Sequence, residues 1–513
     1  MLHWRVAPIA AGMLVAGAAW AYADSRLVEA VKAGDKPTVL ALLGKRVDVN
    51  AAEADGSTAL HWAVRADDVD LTRRLLRAGA QVKTANRYGV TALSLAAENG
   101  NPAMLDMLLQ AGADANTVLP GGDTVLMAAA RAGKADALKV LLARGATNVN
   151  ATEKWLGETA LMWAAAENHG AVVRMLVEAG ADINAKSLNT PFPRVSPPTE
   201  NLITMTFARG GWTPIMYAAR QGASTAVEAL AESGANLNLT TPDGLTALTL
   251  AIINAHYDTA AVLLEKGADP NIADASGMAP LYAAIDMHTL PWMQGRPKPK
   301  SQSKLGPLDV ARLALEAGAN PNARLKSPTL QRQHTAGDRM LGEGATPLMR
   351  AARFGDVAAM RLLLDHGANA GLLQKGGVNT LMLAAAVGSD RVQDEAQYFQ
   401  AGGSEAEAIE AMKLCIEKGL DVRAFNETGE TALHQAVGPE IMRFLVEQGA
   451  DLQARNKRNQ RPLEVAQGRR TREGDPYRPG NVALLQRLMG GPQAAPSASV
   501  PAGPAPKEVL TRP

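Results

Sequence analysis

The sequence predicts an all-α solenoid of about twelve stacked helix–turn–helix units, each joined to the next by a short β-hairpin or loop. The first observation is a repeat. The segment that starts at Gly56 aligns without a gap to the one that starts at Gly89, 33 positions later. A fixed period of this length is typical of solenoids, in which each repeat buries its apolar face only against its neighbours. The length of 513 residues therefore reflects stacking rather than several separate cores.

Two series of glycines keep a constant phase along the chain. The first follows the Leu-rich segment of each unit, where a left-handed residue commonly ends a helix. Its members are Gly79, Gly112, Gly145, Gly180, Gly234, Gly267, Gly318, Gly367, Gly419 and Gly449. The second precedes the next helix and serves the hairpin turn. Its members are Gly56, Gly89, Gly122, Gly157, Gly211, Gly244, Gly277, Gly344, Gly377 and Gly429.

A threonine at a fixed place in each unit predicts the start of the first helix, because its hydroxyl can accept a backbone N–H as an N-cap. It recurs as Thr58, Thr91, Thr124, Thr159, Thr213, Thr246, Thr346 and Thr431. Prolines follow at positions 214 and 347, where the missing N–H of the first helical turn costs nothing. A Leu-Leu pair before Ala-Gly-Ala then ends a second helix.

This Gly-x-Thr-Ala-Leu-His pattern, as in 56–61, resembles the ankyrin repeat family, and the resemblance covers about residues 25–489. It implies ankyrin repeats of two helices and an outward hairpin, and a scaffold that binds partners through its concave face without catalysis. His61 and His434 occupy the family's histidine slot, where the ring ties adjacent repeats together. Other units carry methionine there, and we interpret this Met column as core. Its members are Met127, Met162, Met216, Met349 and Met382.

The unit boundaries predict the domain layout. We expect an N-terminal capping repeat at 24–55, a solenoid at 56–458, a degenerate C-terminal capping repeat at 459–489 and a disordered Pro/Ala-rich tail at 490–513. Four insertions interrupt the solenoid, near 188–210, 290–306, 325–343 and 391–406. The first and third leave the hairpin edge and the other two leave the inter-helix edge. Long insertions of this kind are often functional.

Residues 1–23 predict a signal peptide. An apolar run from Val6 to Trp20 follows His3 and Arg5, and Ala21-Tyr22-Ala23 matches a small-x-small cleavage site. The alternative is an uncleaved anchor, although the run is short for a membrane span and contains a proline. The leader and the insertion layout are similar to those of exported bacterial ankyrin proteins. We therefore expect a periplasmic or secreted protein with no membrane span after cleavage.

Composition excludes several function classes. A net charge of +1 with no basic run gives no electrostatic footprint for nucleic acid. The single cysteine, Cys415, lies in the apolar stripe of a second helix, so a buried thiol is expected and an internal disulfide is impossible. The sequence contains no phosphate-binding, zincin, Cys-x-x-Cys or serine-hydrolase motif. We predict a monomeric, non-enzymatic protein without a cofactor.

The alternative to a scaffold is a metal-binding or enzymatic site built by the insertions. Asp286 and His288 flank one insertion, and His334 and Asp338 lie in the next. These four side chains suit a transition metal if the loops fold together. Their spacing does not demand it, so we predict no metal.

The predicted partner-binding residues occupy the variable positions of the concave face: hairpin residues beside the periodic glycines and the ends of the first helices. They are Arg65, Tyr88, Arg131, Trp155, Trp212, Arg220, Arg353 and Phe354. Aromatic residues and arginine are enriched at binding hot spots. Arginine also ends helices simply to complement the dipole. Trp62 and Trp163 lie one step along, between the helices, and are predicted to be core.

Overall fold

The structure is a computed structural model that describes residues 25–191, 208–289, 300–327, 340–387, 403–468 and 479–490. In these ranges the helices follow one another as twelve pairs, and the only strands form one short two-stranded ribbon. The predicted all-α solenoid is confirmed. Within the same ranges, no helix has the length and apolar content needed to cross a bilayer.

The pairs of the first half of the chain are α1 Arg26–Lys32 and α2 Lys36–Gly44, α3 Ala59–Arg65 and α4 Val69–Arg77, α5 Ala92–Asn99 and α6 Pro102–Gln110, α7 Val125–Ala132 and α8 Ala135–Ala143, α9 Ala160–Ala166 and α10 Gly170–Glu178, and α11 Pro214–Gln221 and α12 Ser224–Glu232. Strands β1 Thr190–Pro191 and β2 Ala208–Arg209 lie between α10 and α11.

The pairs of the second half are α13 Ala247–Ile253 and α14 Tyr257–Glu265, α15 Pro280–His288 and α16 Pro307–Glu316, α17 Pro347–Arg353 and α18 Val357–Asp365, α19 Thr380–Ala385 and α20 Glu405–Glu417, α21 Ala432–Gln435 and α22 Pro439–Glu447, and α23 Pro462–Gly468 and α24 Pro479–Gly490.

The described residues divide into two compact units. The first contains those up to position 350 together with 362–369, and the second contains 351–361 and those from 370 onward. In the first unit, each helix pair from α1 to α16 packs on the next, first helix against first helix and, from α4 onward, second helix against second helix. The core is a chain of small interfaces. In α7 and α8, for example, Ala129, Ala130, Leu138 and Leu141 have no exposed surface.

Most of the first helices begin at a repeated threonine, and in several the hydroxyl accepts a backbone N–H, as Thr124 Oγ1 does from Met127 N–H at 3.2 Å. The Thr124 N–H in turn lies 3.3 Å from the Met127 sulfur. At His61 the ring caps Thr58 N–H through Nδ1 at 3.1 Å. The other ring nitrogen, Nε2, lies 3.1 Å from the Val90 carbonyl oxygen of the next repeat. The predicted histidine tie between repeats is therefore present.

The Met column is buried, as predicted, with at most 1% of each residue exposed. Its role differs in one respect from the predicted purely apolar contact, because the thioether also takes the cap N–H. The same contact recurs at 3.4–3.5 Å from Met162 and Met216. Methionine has no second polar atom, so the hydrogen bond to the next repeat is lost in these units.

Both glycine series adopt the left-handed conformation that their positions predict, with φ between 67° and 99° at all twenty residues. Arg46, which stands in the first repeat where later units have glycine, also has a positive φ of 52°. L-residues adopt this region at a cost that glycine avoids.

The first unit carries a ladder of asparagines along its hairpins. Each side-chain amide donates to the glycine carbonyl that ends the second helix of the next repeat, and its oxygen accepts the N–H two residues further on. Asn50, for example, donates to the Gly79 oxygen at 3.2 Å and accepts Gln81 N–H at 2.7 Å. Complete rungs are made by Asn50, Asn116, Asn150, Asn271 and Asn322. Asn184 and Asn238 make the acceptor half only.

The insertions leave from bases that the structure describes. Strands β1 and β2 pair antiparallel, with Thr190 opposite Arg209, so the first insertion starts as a ribbon on the hairpin edge. Gly210 is required beside it, because a Cβ there would lie 1.6 Å from the Leu188 carbonyl oxygen. The end of the second insertion folds back on the preceding repeat. Asp258 accepts the N–H groups of Lys304 and Leu305 at 3.0 Å each.

Candidate functional site

In the first unit, the first helices present a half-exposed row of aromatic and charged side chains. The row occupies three positions of each repeat: the residue before the capping threonine, and the fourth and seventh residues after it. Its continuous part spans α7, α9 and α11, which pack on one another in that order. We call this part the aromatic stripe. It consists of Arg131, Glu158, Trp163, Trp212, Tyr217 and Arg220.

One half of the stripe is centred on Trp163. The guanidinium carbon of Arg131 lies 5.2 Å from the centroid of the Trp163 ring, within the range of a cation–π contact. The indole N–H donates to Glu158 Oε2 at 2.7 Å. The ring is thus held between a cation from the preceding repeat and a carboxylate from its own.

The other half is centred on Trp212. Its ring meets Tyr217 edge to face, with centroids 5.5 Å apart, and the guanidinium of Arg220 lies 5.1 Å from its centroid. The backbone is fixed as well, since Trp212 N–H donates to Ser187 Oγ at 3.1 Å and its carbonyl oxygen accepts Ser187 N–H at 3.0 Å. These contacts orient the indole without burying it completely.

Electrostatics link the two halves. Burial raises the pKa of the Tyr217 hydroxyl far above its usual range, and the nearby Glu158 carboxylate raises it further, against an opposing effect of Ser187. The phenol therefore stays neutral at any physiological pH. The stripe offers hydrogen-bond donors, aromatic faces and two guanidinium groups, and it contains no nucleophile with an adjacent base.

A second cluster of the same kind lies at the N-terminal end of the first unit. The Trp62 ring is approached by Lys32, 4.4 Å from its centroid, and by Arg65 at 5.4 Å. Its indole N–H donates to Glu53 at 2.8 Å. Trp62 therefore repeats the arrangement of Trp163: cations at the ring and a carboxylate on the N–H.

Two predicted hairpin aromatics are exposed. Tyr88 is 59% exposed and receives the guanidinium of Arg87 at 4.8 Å from its ring centroid. Trp155 is 77% exposed. The loop that presents Trp155 is rigid, because the buried Glu153 carboxylate accepts the N–H groups of residues 155, 156 and 158 at 2.5–2.9 Å.

At two predicted positions the structure contradicts the sequence interpretation. Arg353 has no exposed surface and donates to the Ala386 carbonyl oxygen at 2.7 Å, and Phe354 is 7% exposed. A Cβ at Gly403 would lie 2.7 Å from the Phe354 carbonyl oxygen, so the segment leading into α20 closes over this helix end. The prediction that these side chains face a partner is wrong, because Ala386 and Gly403 of the next repeat lie against this helix end.

The predicted core positions of Trp62 and Trp163 are also wrong. Both side chains are only half-buried, and both carry the polar contacts of the stripe and its N-terminal counterpart. Trp212, expected to point outward, is half-buried instead. The fourth position after the threonine faces outward in these repeats. The sequence does contain a signal of this exposure. The fourth position varies between tryptophan, tyrosine, leucine and alanine, and a position in a close-packed core would not accept side chains of such different size.

The alternative of an insertion-built metal site receives no support from the described residues. Asp286 is 2% exposed and forms an ion pair with Arg350, with Nε and Oδ1 2.9 Å apart. His288 is exposed. His334 and Asp338 lie outside the described residues. The placed part of the chain contains no group of three potential metal ligands. Arg350, which was not predicted from the sequence, occupies the same fourth position as Trp163.

Cys415 is buried, as predicted. It is 1% exposed, and burial raises the pKa of its thiol to about 12. A thiol with such a pKa is almost entirely protonated at neutral pH and is a poor nucleophile.

Comparison with known proteins identifies the repeats. The profile described as "Ankyrin repeats (3 copies)" matches residues 27–119, 95–187 and 199–274, and the profile "Ankyrin repeat" matches 343–374 and 428–457. A solved relative is the human ASB11 ankyrin repeat domain, 26% identical, covering 47% of this chain and 96% of its own, with a TM-score of 0.38.

Curated relatives match shorter parts. An ankyrin repeat protein of fowlpox virus is 33% identical over 126 residues, which is 24% of this chain and 31% of that protein. The Mus musculus B-cell lymphoma 3 protein homolog is 29% identical over 35% of this chain and 34% of its own length. A Danio rerio protein named as palmitoyltransferase ZDHHC13 is 25% identical over 52% of this chain and 34% of its own. The chain thus spans about a third of each of these relatives. The profiles together cover more than half of its residues, and the chain belongs to the ankyrin repeat family.

Proposed function

We propose that this protein is a non-catalytic scaffold that binds a protein partner through the first-helix face of its first unit. The observation that carries the proposal is the aromatic stripe. Tryptophan, tyrosine and arginine are the residues most enriched at binding hot spots. Five such side chains and the Glu158 carboxylate lie along three consecutive first helices, and Trp155 on the adjacent hairpin adds a sixth.

The stripe is ordered before any partner arrives. Stacking of Arg131 on Trp163 and of Arg220 on Trp212 restricts long side chains that would otherwise lose rotamer freedom on binding. A stacked guanidinium still directs N–H groups away from the ring edge, which favours an acidic surface on the partner. Rigid complementarity, rather than folding on binding, is therefore the proposed mode of recognition.

An affinity capture tests this function. The mature chain is used as bait in periplasmic extract, beside an Arg131→Glu/Arg220→Glu variant and an Arg74→Glu control. Arg74 is exposed on α4, a second helix, so its reversal changes charge on another face. A partner held by the wild type and the control and released by the double variant is the expected result. Equal capture by all three would place binding elsewhere.

We further propose that the chain is exported by a cleaved signal peptide and acts in the periplasm or outside a bacterial cell. The support is the Val6–Trp20 apolar run followed by Ala21-Tyr22-Ala23. Mass spectrometry of the native protein is expected to find Asp24 as its N-terminus. An intact Met1, or a cytosolic location, would contradict the proposal.

A further inference from the structure

The asparagine ladder is interrupted at one position inside the first unit. Lys83 lies 33 residues after Asn50 and 33 before Asn116, at the place where the next rung belongs. The groups that a rung would bridge are the Gly112 carbonyl oxygen and the Asp114 N–H. Among the described residues neither group has a hydrogen-bond partner, whereas their counterparts at Gly79 and Gln81 are bridged by Asn50.

Lysine cannot replace the missing amide. Its ammonium carries donors only, so it has no atom to accept the Asp114 N–H. The side chain is exposed at the hairpin edge. A cavity of about 310 Å³ opens at this place, lined on one side by Val82 and Lys83 and on the other by Asp114, Asn116 and Val118. Val118 is 57% exposed, so the mouth of the cavity has an apolar rim.

The geometry points to a recognition site for a carboxamide at this interrupted rung. We propose that an Asn or Gln side chain of a partner chain takes the place of the missing rung, donating to the Gly112 oxygen and accepting the Asp114 N–H. The chain itself demonstrates the chemistry, since five of its own asparagines make the same pair of bonds at 2.7–3.2 Å. The cavity supplies room for the methylene groups behind the amide.

The donor and acceptor pattern defines the specificity. A carboxylate has no N–H to give the Gly112 oxygen, and an aliphatic side chain offers neither bond. The positive charge of Lys83 would favour a carboxylate instead, because opposite charges attract. Preference for a neutral amide over a carboxylate therefore separates rung recognition from a simple ion pair with Lys83. The site lies on the hairpin edge and does not depend on the aromatic stripe.

The probe is glutamine blocked as its N-acetyl methylamide, compared with blocked glutamate and blocked methionine. All three share the same backbone amides, so only the side chain differs. Titration is followed by backbone amide chemical shifts in the full mature chain. We expect blocked glutamine to shift the Asp114 resonance in a saturable way. Blocked glutamate and blocked methionine should bind at least about tenfold more weakly, since the first loses the bond to the Gly112 oxygen and the second loses both bonds.

Two variants make the test reciprocal. Lys83→Asn completes the ladder and should abolish the response at Asp114 while raising the thermal midpoint. Asn271→Lys removes a complete rung elsewhere and should create a response to blocked glutamine at the Asn320 N–H, which Asn271 now accepts at 2.7 Å. The proposal is overturned if Lys83→Asn responds like the wild type, or if blocked glutamate binds as well as blocked glutamine.

Discussion

At the scale of single residues, the Asp286–Arg350 ion pair shows how context changes a repeat position. These are the seventh and fourth positions after the cap, which carry exposed or half-exposed side chains in the repeats that form the stripe. Here both side chains are 3% exposed, and their charged atoms lie 2.9 Å apart. A buried pair of this kind holds its partners in register, although a well-packed apolar pair can be equally stable.

Removal of one partner of this pair should therefore cost more than removal of both. Asp286→Leu is expected to lower the free energy of unfolding by about 3–5 kcal/mol, since it leaves the Arg350 charge buried beside an apolar residue. The double variant Asp286→Leu/Arg350→Met should recover most of the loss. Urea denaturation of the four proteins of this cycle measures the coupling. Additive losses would show that the two charges do not depend on each other.

Two histidines give the first unit a defined dependence on pH. Burial lowers the pKa of His61 and of His256 below the ordinary value of 6.5, against weaker opposing hydrogen bonds from Val90 and Arg220. The unfolded chain therefore takes up protons at about 6.5 while the folded chain does not. Stability is complete above this pH and falls on acidification from 6.5 down to the lowered pKa of each folded-state histidine.

The loss should reach at most about 1.4 kcal/mol per pH unit for each histidine. Urea midpoints at pH 7.5 and 5.5 measure it, with His61→Gln as the comparison. That variant loses its cap ring and is less stable at both values, yet its pH dependence should be roughly halved. Carboxylates with lowered pKa, such as Glu464, act only below about 4.5 and do not interfere in this window. An unchanged pH dependence in His61→Gln would show that His61 does not titrate as described.

At the scale of the elements, the described helix pairs pack mainly on the pairs next to them along the chain. In α8 the adjacent leucines differ: Leu141 is fully buried, while Leu142 is only half-buried. Leu141 therefore lies inside the interface between repeats, and Leu142 lies at the edge of that interface. A substitution at either residue acts first on the α7–α8 repeat and on the repeats beside it.

Leu141→Ala is expected to lower the free energy of unfolding by about 2–5 kcal/mol, through lost apolar contact and the cavity that remains. Leu142→Ala, in the same helix, should cost distinctly less and serves as the matched control. Hydrogen exchange should show the loss of protection concentrated in α5 to α10. Uniform loss across all the described helices would contradict a nearest-neighbour solenoid.

At the scale of the whole molecule, the repeat period and the glycine phases sufficed to predict the fold, because they encode local events such as a cap, a helix end and a turn. Exposure of the first-helix positions was harder to predict. It depends on what lies beside each repeat: Arg353 is fully buried and donates to the Ala386 oxygen, whereas Trp163 is half-exposed. The interrupted rung at Lys83 could be predicted in principle, since the Asn spacing is regular. Its consequence required the positions of the Gly112 and Asp114 backbone atoms, about one repeat further along the chain.

The central claim is that the aromatic stripe binds a protein partner, and calorimetry of the captured partner with a Trp163→Ala/Trp212→Ala variant tests it most directly. Each substitution should cost more than about 1 kcal/mol of binding, so the double variant should bind at least tenfold more weakly. Its circular dichroism should remain helical, since both rings are half-exposed, and Trp155→Ala on the neighbouring hairpin shows how far the contact extends. A double variant that stays folded and binds with the affinity of the wild type would contradict the account.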